Sequence, residues 1–221
     1  PGHGARIALD FLDPGGAVTG RLLSTGNARD TLDVPGVGAM EASLVDATNP
    51  VVFVRAGDLG LLGTESPEAI DRDGALGSRL EAIRVAGAAR MGIPGSPAIP
   101  KIALVAPPAP FKALDGREFM DRETDLVGRV ISMGNCHRAF ALTGAICLAV
   151  AARIHGTVVS ESLSHDGGKG QGEGDARLGH PSGILPIAAR VERDATGAPV
   201  ARHVTVYRTA RRLMEGFVRV P

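Results

Sequence analysis

Residues 132–147 read Ser-Met-Gly-Asn-Cys-His-Arg-Ala-Phe-Ala-Leu-Thr-Gly-Ala-Ile-Cys, a polar turn that leads directly into an apolar segment. Small and aliphatic residues make up nearly all of the segment 144–154. A helix that is apolar all round is typical of a protein core and not of a surface. The sequence therefore predicts a buried helix over 144–154, with the polar turn at its N-terminus.

The start of this helix has the properties of an anion-binding site. The first amides of a helix, here those of Thr143, Gly144 and Ala145, lack an intrahelical partner, and the peptide dipoles make that end positive. His137 and Arg138 lie in the adjacent turn, so we expect a carboxylate to bind there. A purely structural interpretation stays open, in which Thr143 caps the helix, Gly144 permits close packing and Arg138 pairs with an acid.

Composition indicates a globular protein of one large or two small domains. The chain has 221 residues, of which 44% are hydrophobic and 22% charged. Lys plus Arg and Asp plus Glu both number 24, and aromatic residues are 3%, which argues against nucleic-acid binding. We find no run of transmembrane length and no signal peptide. These features predict a cytoplasmic protein that binds neither nucleic acid nor a membrane.

The two cysteines do not indicate a disulfide framework and suit a reducing compartment. Cys147 falls within the apolar helix and is expected to be a small core residue. Cys136 falls in the polar turn, where a reactive thiol is the alternative. Neither has His or acidic neighbours at metal-ligand spacing, so no metal site is predicted.

Strand signals recur along the chain, and helical signals are few. A capped helix is predicted over 67–91, with Ser66 as N-cap and with Gly74 and Gly77 able to break it in two. The first strand, 6–13, places Ile7, Leu9 and Phe11 on one face. The other predicted strands are 41–47, 51–55, 101–106, 126–132, 157–162, 185–191, 204–207 and 216–221. This pattern predicts an α+β fold in which a sheet curls around one buried helix.

The glycine-rich stretch 164–174 does not match a nucleotide-binding motif. Its glycines have neither the Walker A spacing nor the G-x-G-x-x-G spacing. It is expected to be a surface loop, with a lid as the alternative.

Five segments resemble the PrpF family, which includes 2-methylaconitate cis-trans isomerase, 4-oxalomesaconate tautomerase and 3-methylitaconate isomerase. They occur in the family's order along the whole chain. The segments are GRLLSTG at 20–26, ASLVDATNPVVFV at 42–54, SMGNCHRAFALTGAIC at 132–147, GHPSG at 179–183 and VYRTARRLMEGFVRVP at 206–221.

The resemblance implies a diaminopimelate epimerase-like α+β fold. In that fold a curled, mostly antiparallel sheet surrounds a central buried helix in each of two similar domains, and the active site lies between them. Residues 1–30 are then the end of the first domain and the crossover. Residues 31–205 are the second domain, and 206–221 return toward the first.

The resemblance leaves the catalytic residues of this chain unknown. The family's catalytic Lys, in a Gly-Gly-Thr-Ser-Lys-Gly motif, and its catalytic Cys belong to the first domain, and neither motif occurs here. We expect the natural protein to be longer and this chain alone to be inactive. The epimerase's second catalytic cysteine falls on Ala141, which disfavours a two-thiol racemase.

Two further substrate-binding residues follow from the resemblance. Asn49 matches the Asn of an epimerase Gly-Asn-Pro-His turn, and Ser182 of GHPSG offers a hydroxyl donor. A turn with a solvent-facing His180 is the alternative for the second segment. With His137, Arg138, Thr143 and Gly144, these residues are the predicted carboxylate site.

The implied activity is a cofactor-independent isomerisation or tautomerisation of unsaturated di- or tricarboxylic acids. A base removes an allylic proton, an enolate-like anion forms, and the proton returns elsewhere or the double bond rotates. The expected partner is a small polycarboxylate, with a homodimer left open. The alternatives are a racemase of the same fold and a non-catalytic carboxylate-binding module.

Overall fold

A computed structural model describes residues 4–93, 96–164, 175–210, 212–217 and 219. The strands are β1 Arg6–Leu12, β2 Asp30–Val34, β3 Gly38–Ala47, β4 Asn49–Arg55, β5 Lys101–Ala106, β6 Phe111–Lys112, β7 Glu118–Phe119, β8 Leu126–Ser132, β9 Asn135–Cys136, β10 Ala176–His180, β11 Gly183–Arg193 and β12 Pro199–Thr209. The α-helices are α1 Pro67–Arg72, α2 Gly74–Arg90, α3 Leu142–Ala152 and α4 Val158–Glu161, and two 3₁₀ turns cover Ala56–Leu59 and Asp121–Glu123.

A ten-stranded, mostly antiparallel sheet organises the molecule. Its order is β1-β12-β11-β10-β8-β5-β4-β3-β2, with β9 paired to β8. The pairs β4–β5 and β8–β10 are parallel, and the others are antiparallel. Parallel neighbours need a long crossover. Helices α1 and α2 lie in the crossover from β4 to β5, whereas α3 and α4 lie in the crossover from β8 to β10.

Helix α3 is the centre of one hydrophobic core. From Gly144 to Ala152 every residue is buried. The helix contacts β3 and β4 on one side and β11 and β12 on the other, and these pairs are separated by several strands. The sheet therefore curls around α3, which confirms the predicted α+β architecture.

The second core lies on the opposite face of the sheet, under α1 and α2. Side chains alternate between the two cores along β4 because successive strand residues point to opposite faces. Val51 and Phe53 belong to the α3 core, and Val52 and Val54 to the α2 core. Among the described residues, no helix is both long and apolar enough to cross a membrane.

The structure corrects the predicted start of the central helix. Helix α3 begins at Leu142, with Ala141 in the N-cap position and no side-chain cap. Thr143 is therefore not the cap that the structural interpretation assigned to it, because it is already the second helical residue. The predicted core character of the segment is confirmed.

The predicted strand over 157–162 is also wrong. Residues 158–161 form α4, and the Thr157 hydroxyl accepts a hydrogen bond from the Ser160 amide at 3.0 Å. A threonine at the N-cap position favours a helical turn over the β-propensity of the two valines that follow it.

The long helix predicted over 67–91 is two helices. Ser66 caps α1 as predicted, and Asp73 separates the pair by accepting a hydrogen bond from the Leu76 amide at 2.9 Å. The break falls one residue before Gly74, in agreement with the predicted weak point.

The strand predicted near the N-terminus is present, whereas the described residues of the strand predicted at the C-terminus are not in a strand. Strand β1 joins the main sheet by pairing with β12, but Ile7 and Leu9 are each 41% exposed. Residues 216 and 217 are not in a strand, and the rest of the predicted strand 216–221 lies largely outside the described residues. Most of the loop 164–174 also lies outside them, so its interpretation stays a prediction.

Candidate functional site

A two-residue hairpin forms the polar turn between β8 and β9. Met133 and Gly134, with φ of 54° and 79°, lie between the paired residues Ser132 and Asn135. The following segment is fastened to α1, because the Asp71 carboxylate accepts a hydrogen bond from the Cys136 amide at 2.7 Å. The hairpin and α1 thus fix the direction in which His137 and Arg138 leave the sheet.

His137 and Arg138 are both exposed at the end of this segment. The Nδ1 atom of His137 accepts a hydrogen bond from the Ala139 amide at 3.0 Å, so a neutral ring carries its proton on Nε2. Arg138 forms an ion pair with Glu68 of α1. This pair is the acid contact that the structural interpretation anticipated for Arg138, and it lies at the surface, where ion pairs contribute little stability.

The start of α3 presents free amides one residue earlier than predicted. The Ala145 amide donates to the Ala141 carbonyl at 2.9 Å and is therefore committed to the helix. By helix geometry, the amides without an intrahelical acceptor are those of Leu142, Thr143 and Gly144. Gly144 lies against the Phe140 ring, since a Cβ built there would be 3.4 Å from Phe140 Cε1.

The turn between β3 and β4 lies against the start of α3. The Thr48 hydroxyl donates to the Thr143 carbonyl at 3.3 Å, and Thr48 has the unusual φ of 64°. Asn49 pairs with Ala47, which belongs to the α3 core, so Asn49 lies on the α3 side of the sheet. Its Oδ1 atom is buried and has no hydrogen-bond partner among the described residues.

The segment 180–182 completes this cluster. The Ser182 hydroxyl donates to the Arg138 carbonyl at 2.6 Å, which joins the β10–β11 turn to the His137–Arg138 segment. His180 is only 8% exposed, so the alternative of a solvent-facing His180 is wrong. Burial, together with nearby Arg129 and His137, lowers the pKa of His180 to about 4.

Both cysteines are buried thiols. Burial raises the pKa of Cys136 to about 12 and raises the pKa of Cys147 as well. Because the thiolate is the reactive form, the burial of Cys136 and its raised pKa argue against the alternative of a reactive thiol. Within the described part of the chain, no three His, Cys, Asp or Glu side chains group as metal ligands.

The predicted site residues therefore converge from three separate parts of the chain. Hydrogen bonds link the turn that carries Asn49 to Thr143, and link Ser182 to Arg138. Gly144 and His137 belong to the same helix start and turn. Their role in binding a substrate stays a prediction.

Sequence reasoning missed three charged or titratable groups near this cluster. His180 was visible in GHPSG but could not be told from a surface residue. Glu68 is 70 positions from Arg138, and no sequence signal linked the two. Arg129 is only 1% exposed and donates to the carbonyls of Glu65 and Gly128 at 2.7 and 2.8 Å, although its strand suggested only a buried apolar run.

Comparison with known proteins gives a consistent family. The model of the family described as "PrpF protein" matches residues 1–221. A 2-methyl-aconitate isomerase from Shewanella oneidensis is 37% identical over 98% of this chain and 56% of its own length. A 3-methylitaconate isomerase from Eubacterium barkeri is 36% identical over 100% of this chain and 58% of its own length. A 4-oxalomesaconate tautomerase from Pseudomonas putida is 32% identical, with coverages of 99% and 54%.

A solved structure shares the fold. The crystal structure of a methylitaconate-delta-isomerase superimposes with a TM-score of 0.86 and 36% identity over 99% of this chain. The match covers 56% of that protein. The chain thus spans little more than half the length of the relatives that it matches.

Proposed function

The chain belongs to the PrpF family, and we propose that it forms the carboxylate-binding part of a cofactor-independent isomerase or tautomerase. Its substrate class is the unsaturated di- and tricarboxylic acids, and the reaction moves a proton or a double bond. The names of its relatives, which specify methylaconitate, methylitaconate and oxalomesaconate, support this substrate class.

The observation that carries the proposal is the convergence of donors at the start of α3. Adjoining segments carry the free amides of Thr143 and Gly144, the imidazole of His137 and the guanidinium of Arg138. The other two segments contact this one, because the Ser182 hydroxyl donates to the Arg138 carbonyl and Thr48, which precedes Asn49, donates to the Thr143 carbonyl. Backbone amides at a helix start favour an anion, and an arginine holds a carboxylate through two parallel hydrogen bonds.

These groups suit the chemistry of an enolate-like intermediate. When a base removes an allylic proton, negative charge spreads onto the neighbouring carboxylate. Fixed donors at that carboxylate stabilise the charge as it develops. The base itself is not assigned to a described residue, since both thiols are held protonated by burial.

Calorimetric titration with cis-aconitate tests the proposal. We expect Arg138→Ala to weaken binding about 10- to 100-fold, which corresponds to losing a hydrogen bond to a charged group. Glu68→Gln is expected to tighten binding, because it removes the acid that competes for Arg138.

The matched control is Arg190→Ala. Arg190 pairs with Glu192 on β11, and its side chain is 56% exposed, as is that of Arg138. The control should bind like the unchanged chain. Equal affinities for the Arg138 and Arg190 variants would remove Arg138 from the site. A complete lack of binding by the unchanged chain would overturn the proposal.

We also propose a cytoplasmic location, a homodimeric assembly and the division of the chain at residues 30 and 205. Both cysteines are free, which suits a reducing compartment. The exposed Ile7 and Leu9 on the edge strand β1 provide an apolar surface for association, and sedimentation equilibrium measures the assembly.

A further inference from the structure

We propose that His180 is a further substrate-binding residue, which donates a hydrogen bond from Nε2 to the carboxylate bound at the start of α3. This inference rests on the function proposed above. It assigns a role to a buried imidazole that the carboxylate site as predicted does not include.

The strand register places His180 on the α3 side of the sheet. Leu178 pairs with Leu126 across the parallel strands β10 and β8, and both belong to the α3 core. Side chains two residues apart on a strand share a face. His180, two residues after Leu178 at the end of β10, therefore projects to the side on which α3 lies.

One aromatic ring spans the space between this strand end and the helix start. Gly179, the residue before His180, pairs with Val127, the residue before Gly128. A Cβ built on Gly128 would be 3.2 Å from Phe140 Cε2, and one on Gly144 would be 3.4 Å from Phe140 Cε1. The Phe140 ring thus contacts both the first turn of α3 and the part of β8 that follows the residue paired with Gly179.

The hydrogen bonding of His180 fixes which nitrogen is the donor. Its Nδ1 atom accepts from the Ser182 amide at 3.1 Å, so the proton of the neutral ring is on Nε2. No described residue accepts a hydrogen bond from that Nε2 atom. The Nε2 donor of this largely buried ring is therefore available to a ligand or to water. His137 carries the same arrangement, with Nδ1 held by the Ala139 amide.

The charges around His180 favour an anion as that ligand. Burial of the ring, followed by its electrostatic interactions with Arg129 and His137, disfavours the protonated form and lowers the pKa of His180. A neutral imidazole beside the cationic Arg129 can donate a hydrogen bond to an anion. His180 therefore fits the role of a fixed donor and does not fit the role of a general base.

Two variants test the role of this donor. His180→Gln retains an N–H group near the position of Nε2, whereas His180→Leu has none. With cis-aconitate, we expect His180→Leu to bind about tenfold more weakly and His180→Gln to bind within about threefold of the unchanged chain. Circular dichroism and thermal unfolding establish that each variant is folded. Equal affinities for the Leu variant and the unchanged chain would overturn the inference.

A measurement on the unchanged chain covers the case in which the Leu variant does not fold. In histidine labelled with ¹⁵N, the His180 Nε2 resonance is assigned by its absence in the Gln variant. Saturation with cis-aconitate should shift this resonance while the ring stays neutral. No shift at saturation would overturn the role of His180 alone, whereas absence of binding would overturn the proposed function and this inference together.

Discussion

At the scale of single residues, the turn that carries Asn49 contains a strained backbone conformation. Thr48 is β-branched and adopts a φ of 64°, a conformation that such residues rarely take. It is held there by its amide, which donates to the Pro14 carbonyl at 2.7 Å, and by its hydroxyl, which donates to Thr143. Strain that surrounding contacts maintain is frequent at functional sites, and here it sets the direction of Asn49.

The buried His180 makes folding stability sensitive to acid. Its pKa is lowered from 6.5 to about 4, so between these values the unfolded chain takes up a proton that the folded chain does not. Protonation then favours the unfolded state. The free energy of unfolding therefore decreases as pH falls from about 6.5 to 4, by up to about 3 kcal/mol. Urea unfolding at several pH values measures it.

The control for this pH dependence is His180→Gln, which cannot be protonated in this range. We expect the difference in unfolding free energy between the two proteins to shift with pH in favour of the variant below pH 6. Carboxylates elsewhere contribute equally to both proteins and cancel. Parallel pH profiles would show that His180 is protonated in the folded state as readily as in the unfolded state.

At the scale of elements, the sequence predicted burial better than boundaries. The apolar run after Thr143 identified α3 as the central helix, because an element without a polar face has to be surrounded by core. Its first residue was missed, since Ala141 at the N-cap position and Leu142 carry no capping signal. Residues 157–162 were wrongly predicted to be a strand. The N-cap Thr157 favours a helical turn there, despite the strand propensity of Val158 and Val159.

Two glycines of α2 allow the effect of packing on stability to be measured apart from the effect of helix propensity. Gly87 lies against β4, and a Cβ built there would be 2.4 Å from Val52 Cγ2, a side chain that is fully buried. We expect Gly87→Ala to destabilise the protein by about 1–3 kcal/mol through overpacking. Gly77 in the same helix has open space around it, so Gly77→Ala is expected to stabilise by about 0.5–1 kcal/mol. Chemical denaturation of both variants gives the comparison, and two changes of the same sign would contradict this packing of α2.

At the scale of the whole molecule, the candidate site depends on contacts that no local pattern encodes. Thr48 and Thr143 are 95 positions apart, and Ser182 and Arg138 are 44 apart. The pattern at the helix start indicated His137, Arg138, Thr143 and Gly144, and the resemblance to a known family added Asn49 and Ser182. The contacts between these segments were not predictable from the sequence, because they depend on the crossovers between parallel strands. Arg138 illustrates the limit of prediction from the sequence. Its proximity to the helix start was predictable, but its ion pair with Glu68, 70 positions away, was not.

Because the site is assembled from β4, the β9–α3 segment and the β10–β11 turn, only the folded chain presents it. A ligand that binds the folded state alone stabilises the whole molecule, by about 2.7 kcal/mol at a concentration 100 times its dissociation constant. We therefore expect cis-aconitate to raise the midpoint of thermal unfolding progressively with concentration. Crotonate, which has one carboxylate, is the matched control at equal ionic strength and should shift it far less. Equal shifts by both acids would indicate a general anion effect in place of a site built for polycarboxylates.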